Sequence, residues 1–390
     1  MNCSKNNNKE TVLVAMSGGV DSSVAAALLH ERGYRVIGIT MNLWDYDRVG
    51  GNLNRDSGCC SIDTMDDARS VCRSLGVPHY VVNFRDEFEE AVTNNFISEY
   101  MQGRTPNPCV RCNTYIKWGV LLQKAEELGA DQIATGHYAR CGYDEPRGRF
   151  LLKCGKDKKK DQSYALWGIR QAGLAKTLFP VGEFEKEEIR HLARNLGLRT
   201  ADKPESQEIC FIPDNDYARY LHKMRPELQT QLQDGEIVNQ EGMPLGHHRG
   251  FPFYTIGQRK GLGIALGQPV YVTEIDAKNN RIKVGTNDDL EHSGLIAEHL
   301  NWIAIAELKD GMEVEAKIRY NDPGAAASMR PLSDHTVEVT FLEPQRAVTP
   351  GQSVVFYQED VVIGGGVIQT YIKLHKSVDS KRDKGKYSNI

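Results

Sequence analysis

The sequence has little that would tie the chain to a membrane. None of its 390 residues falls in a run approaching the ~18 consecutive apolar positions of a spanning helix. Met1 to Glu10 (MNCSKNNNKE) contains no apolar stretch of the kind a secretory signal needs, so it reads as a disordered lead-in and the chain as cytoplasmic. A large positive charge is missing as well. The formal net charge is -4, which gives nucleic acid no general attraction, so any RNA contact must come from local patches. Lys153 to Lys160 (KCGKDKKK) is one such patch, and the tail from Lys373 to Lys386 is another, first of all a solvated end. There is no internal repeat and no Walker A ending of Gly-Lys-Ser/Thr. What remains, 40% hydrophobic and 26% charged residues, is the balance of an ordinary globular protein, and the length predicts two or three domains at ~150 residues each.

The first half alternates strand and helix patterns. Thr11–Met16, Tyr34–Thr40, Tyr80–Phe84 and Gln132–Thr135 read as strands. Helices are expected over Val24–Leu29, Asp63–Leu75, Glu87–Tyr100 and Tyr115–Leu128, with Ile189, Leu192, Ala193 and Leu196 marking another. Such alternation predicts an α/β fold with a Rossmann-like parallel sheet, whose ligands bind beyond the carboxyl ends of the strands. After about residue 215, glycines and short alternating runs (Pro269–Ile275, Arg281–Val284, Glu313–Arg319, Thr336–Phe341, Ser353–Tyr357) predict a small module followed by a β-barrel or sandwich.

Ser17-Gly18-Gly19-Val20-Asp21-Ser22-Ser23 lies between the first strand and the first helix. Adjacent glycines let the backbone turn tightly and aim N–H groups at an anion, and the helix adds its positive end. Serine hydroxyls there suit phosphate oxygens, and Asp21 suits either orienting the loop or holding Mg²⁺. A serine-capped glycine turn is the plain alternative. The string resembles the PP-loop of ATP pyrophosphatases, enzymes that adenylate a substrate and release pyrophosphate.

Nine cysteines, at positions 3, 59, 60, 72, 109, 112, 141, 154 and 210, suggest reduced thiols in a cytoplasmic chain. Thr105-Pro106-Asn107-Pro108-Cys109-Val110-Arg111-Cys112-Asn113 is a proline-stiffened loop in which Arg111 and a helix start near Asn113 favour thiolate. Ser206-Gln207-Glu208-Ile209-Cys210-Phe211-Ile212 carries the third thiol of interest. Zinc would want a second well-spaced pair, which the adjacent Cys59 and Cys60 do not supply. A sulfur-carrying or redox pair facing Cys210, and an iron–sulfur cluster on Cys109, Cys112 and Cys210, both stay open.

SGGVDSS, TPNPCxxCN, ATGHYAR, KDQSYALW, SQEICFI, YTIGQRKGLGI and the later RY and PGQ strings stand in the order seen in bacterial tRNA-specific 2-thiouridylases, which this chain resembles from about Val12 to Tyr371. The resemblance implies a PP-loop domain over residues 1–215, a small central module over 216–288 and a tRNA-contacting β-barrel with a basic tail over 289–390. It implies that Ala15, Met16, Ser17, Gly18, Gly19, Val20, Asp21, Ser22, Met41 and Gly136 bind ATP. Asn107, Pro108, Cys109, His137, Lys160, Asp161, Gln162, Arg319, Tyr320 and Gln352 are implied to contact tRNA. Cys112 is implied to be the nucleophile that pairs with Cys210, the persulfide carrier. Many members of the family have Asp, the favoured general acid/base, where this chain has Cys109, so here either that assignment fails or a thiol takes the role.

The activity implied is conversion of the wobble uridine, U34, to 2-thiouridine in tRNAs for Lys, Glu and Gln. ATP and Mg²⁺ would serve the adenylation, and a cysteine desulfurase or relay protein would donate sulfur. Two other functions are compatible with the loop alone: an ATP-dependent ligase of small metabolites, which needs no paired thiols, and a non-catalytic RNA-binding protein holding ATP. Trp44, Tyr138, Tyr164 and Trp167 stand near the motifs and read first as core residues rather than as stacking platforms for a base.

Overall fold

The computed structural model describes residues 10–45, 62–205 and 209–374. Cys3, Cys59, Cys60, Ser206, Gln207, Glu208 and the basic tail beyond Leu374 lie outside the described residues. The first part of the chain runs β1 (Thr11–Ala15), α1 (Val20–Glu31), β2 (Arg35–Asn42), α2 (Ile62–Ser74) and β3 (His79–Asn83). Two long helices follow, each in three pieces: α3 (Arg85–Phe88, Glu89–Thr93, Asn94–Met101) and α4 (Pro108–Arg111, Cys112–Leu121, Leu122–Glu127). The middle piece of each is wound as a π-helix. Then come β4 (Gln132–Ala134), a hairpin of β5 (Ala139–Asp144) and β6 (Arg149–Cys154), β7 (Thr177–Leu178) and α5 (Lys186–Asn195).

Five of these strands form the parallel sheet, in the order β3-β2-β1-β4-β7. The unbroken apolar run of β1 has a direct cause. Val12 and Val14 enter the core shared with α1 and α5, while Leu13 and Ala15 enter the core on the opposite face with Phe88, Phe96 and Ile116. With both faces covered, alternation between apolar and polar positions disappears. The strand order reverses between β1 and β4, and the loops after those two strands carry SGGVDSS and TGHY. That crevice is where an open α/β sheet binds its ligand.

α6 (Tyr217–Met224) leads to a four-stranded sheet of β8 (Gly235–Val238), β9 (Pro244–His248), β10 (Tyr271–Asp276) and β11 (Arg281–Gly285), ordered β10-β11-β8-β9. The last sheet is a barrel of β12 (Glu291–Trp302), β13 (Met312–Lys317), β14 (Ala325–Ser333), β15 (Thr336–Arg346), β16 (Ser353–Gln358) and β17 (Val361–Lys373), closed by pairing of β12 with β17. The barrel foreseen from the sequence is therefore present. The hairpin β5–β6 was not foreseen. It leaves the first part of the chain and joins the barrel sheet, with Lys153 of β6 opposite Val361 of β17. Gly365 makes this junction close, because a Cβ there would stand 2.8 Å from the Trp167 ring.

The Lys153–Lys160 patch changes character as a result. Lys153 is a strand residue, Lys156 pairs with Glu188 at 3.1 Å and Lys160 with Glu205 at 2.6 Å.

Candidate active site

The glycine loop is folded on itself before any ligand arrives. The Ser17 N–H donates to Ser22 Oγ at 3.2 Å, and the Ser22 and Ser23 hydroxyls donate to the Gly19 carbonyl at 3.2 and 2.8 Å. Gly18 has φ +70°, and a Cβ on it would stand 2.2 Å from the Thr64 carbonyl, so only glycine fits. Gly136 meets the same loop from the end of β4: a Cβ there would lie 2.6 Å from Ser22 N. Ala15 and Met16 are buried beneath the loop, with the Met16 N–H donating to the Ile39 carbonyl at 2.7 Å, and Met41 sits half-buried at the end of neighbouring β2. The amino end of α1 begins at Val20, directly after these glycines, and favours an anion there.

Asp21 is fixed by partners far along the chain. Lys186 Nζ donates to both of its carboxylate oxygens at 2.8 Å, and the Tyr138 hydroxyl donates at 2.6 Å. Burial and then the Asp21 carboxylate push the Tyr138 phenol far above its ordinary range. Lys186 is only 6% exposed and also reaches Glu205 at 3.1 Å. Burial raises Glu205, but Lys160 and Lys186 outweigh it and hold its carboxyl below the usual range. Lys203 Nζ donates to the Gly18 carbonyl at 3.1 Å and to Asp67 at 2.6 Å. As placed, Asp21 neutralises an ammonium and orients the loop.

The cysteine loop begins its helix earlier than expected. Asn107 caps α4 by accepting from the Val110 N–H at 3.2 Å, with Pro108 at the first helical position, so the helix starts five residues before Asn113. Cys109 and Cys112 consequently lie one turn apart on the same face of that first turn, Cys109 exposed and Cys112 half-buried. Arg111 donates to the Ala91 carbonyl at 2.7 Å and covers the Tyr115 ring at 4.7 Å, tying α4 to α3. Phe211, next to Cys210, packs edge-on against Phe88 and Phe96 of that same α3, and both Cys112 and Cys210 border the core these rings form.

Among the described residues no three His, Cys, Asp or Glu side chains are grouped closely enough to hold a single metal ion. Cys72 and Cys141 are a different kind of thiol: burial pushes them up to about 11 and about 12.

The remaining predicted residues divide by what they touch. His137 faces Lys117 Nζ at 3.2 Å through Nε2 and Thr135 Oγ1 at 2.7 Å through Nδ1, which makes it a neutral imidazole with the proton on Nδ1. Burial and then Lys117 lower its pKa well below normal. Asp161 accepts from the N–H groups of Gly155 and Ser163, and Gln162 accepts from the Tyr138 N–H at 3.0 Å, so both shape their turn. Arg319 donates to the Arg346 and Ala347 carbonyls. Tyr320 projects half-exposed from the barrel, its phenol raised by burial and then by Asp161, Cys109 and Glu205, which places it beside the cysteine loop. Trp44, Tyr138, Tyr164 and Trp167 are all buried core residues. Lys186, Lys203, Asp67 and Glu205 were not foreseen. The one local signal was a lysine at the first turn of α5, where a helix disfavours cations.

A glycine-serine anion cradle at the switch point of a parallel sheet, with a two-cysteine helix start in the same domain, defines a PP-loop nucleotide-binding enzyme domain joined to two β modules. Residues 10–214 match the family described as tRNA methyl transferase HUP domain, residues 224–286 the tRNA methyl transferase PRC-barrel domain and residues 292–368 the aminomethyltransferase beta-barrel domain. The tRNA-specific 2-thiouridylase MnmA of Salinibacter ruber is 52% identical over 92% of this chain and 94% of its own length. The protein of the same name from Heliobacterium modesticaldum is 55% identical over 92% of each chain, and that from Lachnoclostridium phytofermentans is 52% identical over 92% of this chain and 99% of its own. The chain belongs to the tRNA-specific 2-thiouridylase family.

Proposed function

We propose that the protein replaces the C2 oxygen of a tRNA uridine with sulfur at the expense of ATP. The observation that carries this reading is the placement of a phosphate cradle and of Cys109, Cys112 and Cys210 in one domain, in a chain about half identical to 2-thiouridylases along nearly its whole length. The uracil O2 attacks the α-phosphate of ATP, and pyrophosphate leaves. Loop N–H groups and the end of α1 stabilise the charge that develops. The terminal sulfur of a Cys210 persulfide then attacks C2, AMP departs, and the base is joined to Cys210 through a disulfide. The Cys112 thiolate attacks the Cys210 sulfur, the S–S bond to the base breaks, and 2-thiouridine leaves with a Cys112–Cys210 disulfide behind it. A cellular thiol reductant restores the pair, and a sulfur-donor protein reloads Cys210. Persulfide chemistry is preferred because the resemblance pairs Cys112 with Cys210, and an iron–sulfur cluster on Cys109, Cys112 and Cys210 is the alternative that iron analysis decides.

The wobble uridine of tRNAs for Lys, Glu and Gln is the substrate this reading takes, and Mg²⁺ accompanies ATP. The domain boundaries this reading takes lie near residues 215 and 288, and its site of action is the cytoplasm, where tRNA and ATP are found. The test is thiolation of unmodified tRNA by anaerobically purified enzyme assayed for iron. Cys210→Ser should abolish sulfur incorporation while tRNA-dependent pyrophosphate release persists. Undiminished thiolation by that variant would sink the reading, and activity that tracks iron content would replace the persulfide with a cluster.

A further inference from the structure

We propose that Gln352 is a positioning residue, through which the barrel holds the cysteine loop in place before any RNA arrives. Its Nε2 donates to the Thr105 carbonyl at 2.9 Å and to the Pro106 carbonyl at 3.0 Å. An amide nitrogen has two hydrogens, and both are used. The orientation is fixed by those acceptors, because a flipped amide would set an oxygen against two carbonyls. What Gln352 has left is an acceptor oxygen, which cannot bind a phosphate. That oxygen can still accept from a ribose hydroxyl or a base N–H, so the positioning role stands beside the tRNA contact that family resemblance implies for this residue.

The surrounding backbone makes the same attachment. The Thr105 N–H donates to the Pro350 carbonyl at 2.9 Å. Gly351, at φ +91°, lies so close that a Cβ would stand 2.8 Å from the Thr105 carbonyl. The turn that carries these groups is itself bound to β17, by Gly351 N–H to Ile368 O and Ile368 N–H to Gln352 O, each 2.8 Å. On the other side of the loop Arg104 bridges Glu99 at 2.7 Å and Glu298 of β12 at 3.0 Å, with all three side chains mostly buried. Residues 104–106 are thus gripped by the barrel from both sides. Asn107 and Pro108 come next and start α4, so any displacement of the grip moves the first turn that carries Cys109 and Cys112.

This inference deepens the sulfur-transfer reading and can be tested apart from it. In the full chain, without tRNA or ATP, alkylation of Cys109 and Cys112 by iodoacetamide is followed by mass spectrometry for wild type, Gln352→Glu, Gln352→Ala and Glu298→Gln. Buried Cys72 serves as the fold control and must stay unlabelled. Release of the loop should change labelling of Cys109 or Cys112 by roughly threefold or more in the Gln352 variants and in the same direction in Glu298→Gln, because the cysteines depend on a held geometry. The thiolation kcat should fall about tenfold, with tRNA affinity within about twofold of wild type. Labelling unchanged in all three variants overturns the proposal, and tRNA affinity falling instead would return Gln352 to the RNA surface. If the wild-type enzyme does not thiolate tRNA, the functional reading fails while the labelling result still decides the positioning role.

Discussion

Lys186 shows how much of this site depends on single side chains. A lysine with almost no exposure at the first position of a helix carries an unfavourable dipole interaction, and its carboxylate partners compensate. Lys186→Met should destabilise the fold by on the order of 2–4 kcal/mol, measured by chemical denaturation, because it leaves Asp21 beside Tyr138 with its ammonium gone. tRNA-dependent pyrophosphate release should fall at least tenfold, roughly, and Lys186→Arg should restore part of it. None of this was readable from local sequence, since Asp21 and Lys186 are 165 positions apart. The glycines and serines of the loop were readable because their job is done within seven residues. A second residue makes a pH prediction. Burial and then Lys373 lower His292 to about 4, so it stays neutral in the fold while the unfolded chain protonates near its ordinary pKa. The unfolded state then binds more protons below about pH 6.5, and stability should decline from there toward about pH 4. Urea midpoints at about pH 7 and about pH 4.5 should differ less in His292→Gln than in wild type.

At the scale of elements, the sequence was most informative where a strand is wrapped on both faces. The strands around SGGVDSS were placed to within a residue or two, since buried apolar runs leave little choice. Three long barrel strands, β12, β14 and β17, escaped notice because glycine and alanine interrupt their alternation. Gly364, Gly365 and Gly366 in β17 are there to admit Trp167, Trp302 and Leu300, which no local pattern reveals. The start of α4 was placed five residues late because Pro108 looked like loop stiffening, whereas with Asn107 before it the pair is a cap and a first helical residue. Asn107→Ala should cost about 1 kcal/mol of stability and should lower thiolation more than ATP binding. Gly18→Ala should do the opposite, abolishing ATP binding measured by calorimetry while leaving alkylation of Cys109 near its wild-type rate, because the clash with Thr64 is confined to the phosphate cradle.

At the scale of the molecule, the parts are not strung together but interlocked. The β5–β6 hairpin extends the barrel sheet, Arg140 pairs with Asp360 at 2.6 Å, and Asn301 donates to the Trp167 carbonyl at 2.7 Å. A fragment ending at residue 288 should be largely insoluble by size-exclusion chromatography, since it would bare the apolar surface around Leu152 and Trp167 and leave β6 as an open edge. The pairing of β17 with β12, β16 and β6 also bears on synthesis. A ribosome delivers β17 after every other strand among the described residues, yet that strand both shuts the barrel and carries Ile368, to which the Gln352 turn is sewn. A nascent chain can finish its glycine-serine cradle early, but the loop that carries Cys109 and Cys112 has no anchor until translation has passed β17, so those thiols reach their final placement about 260 residues after they are made.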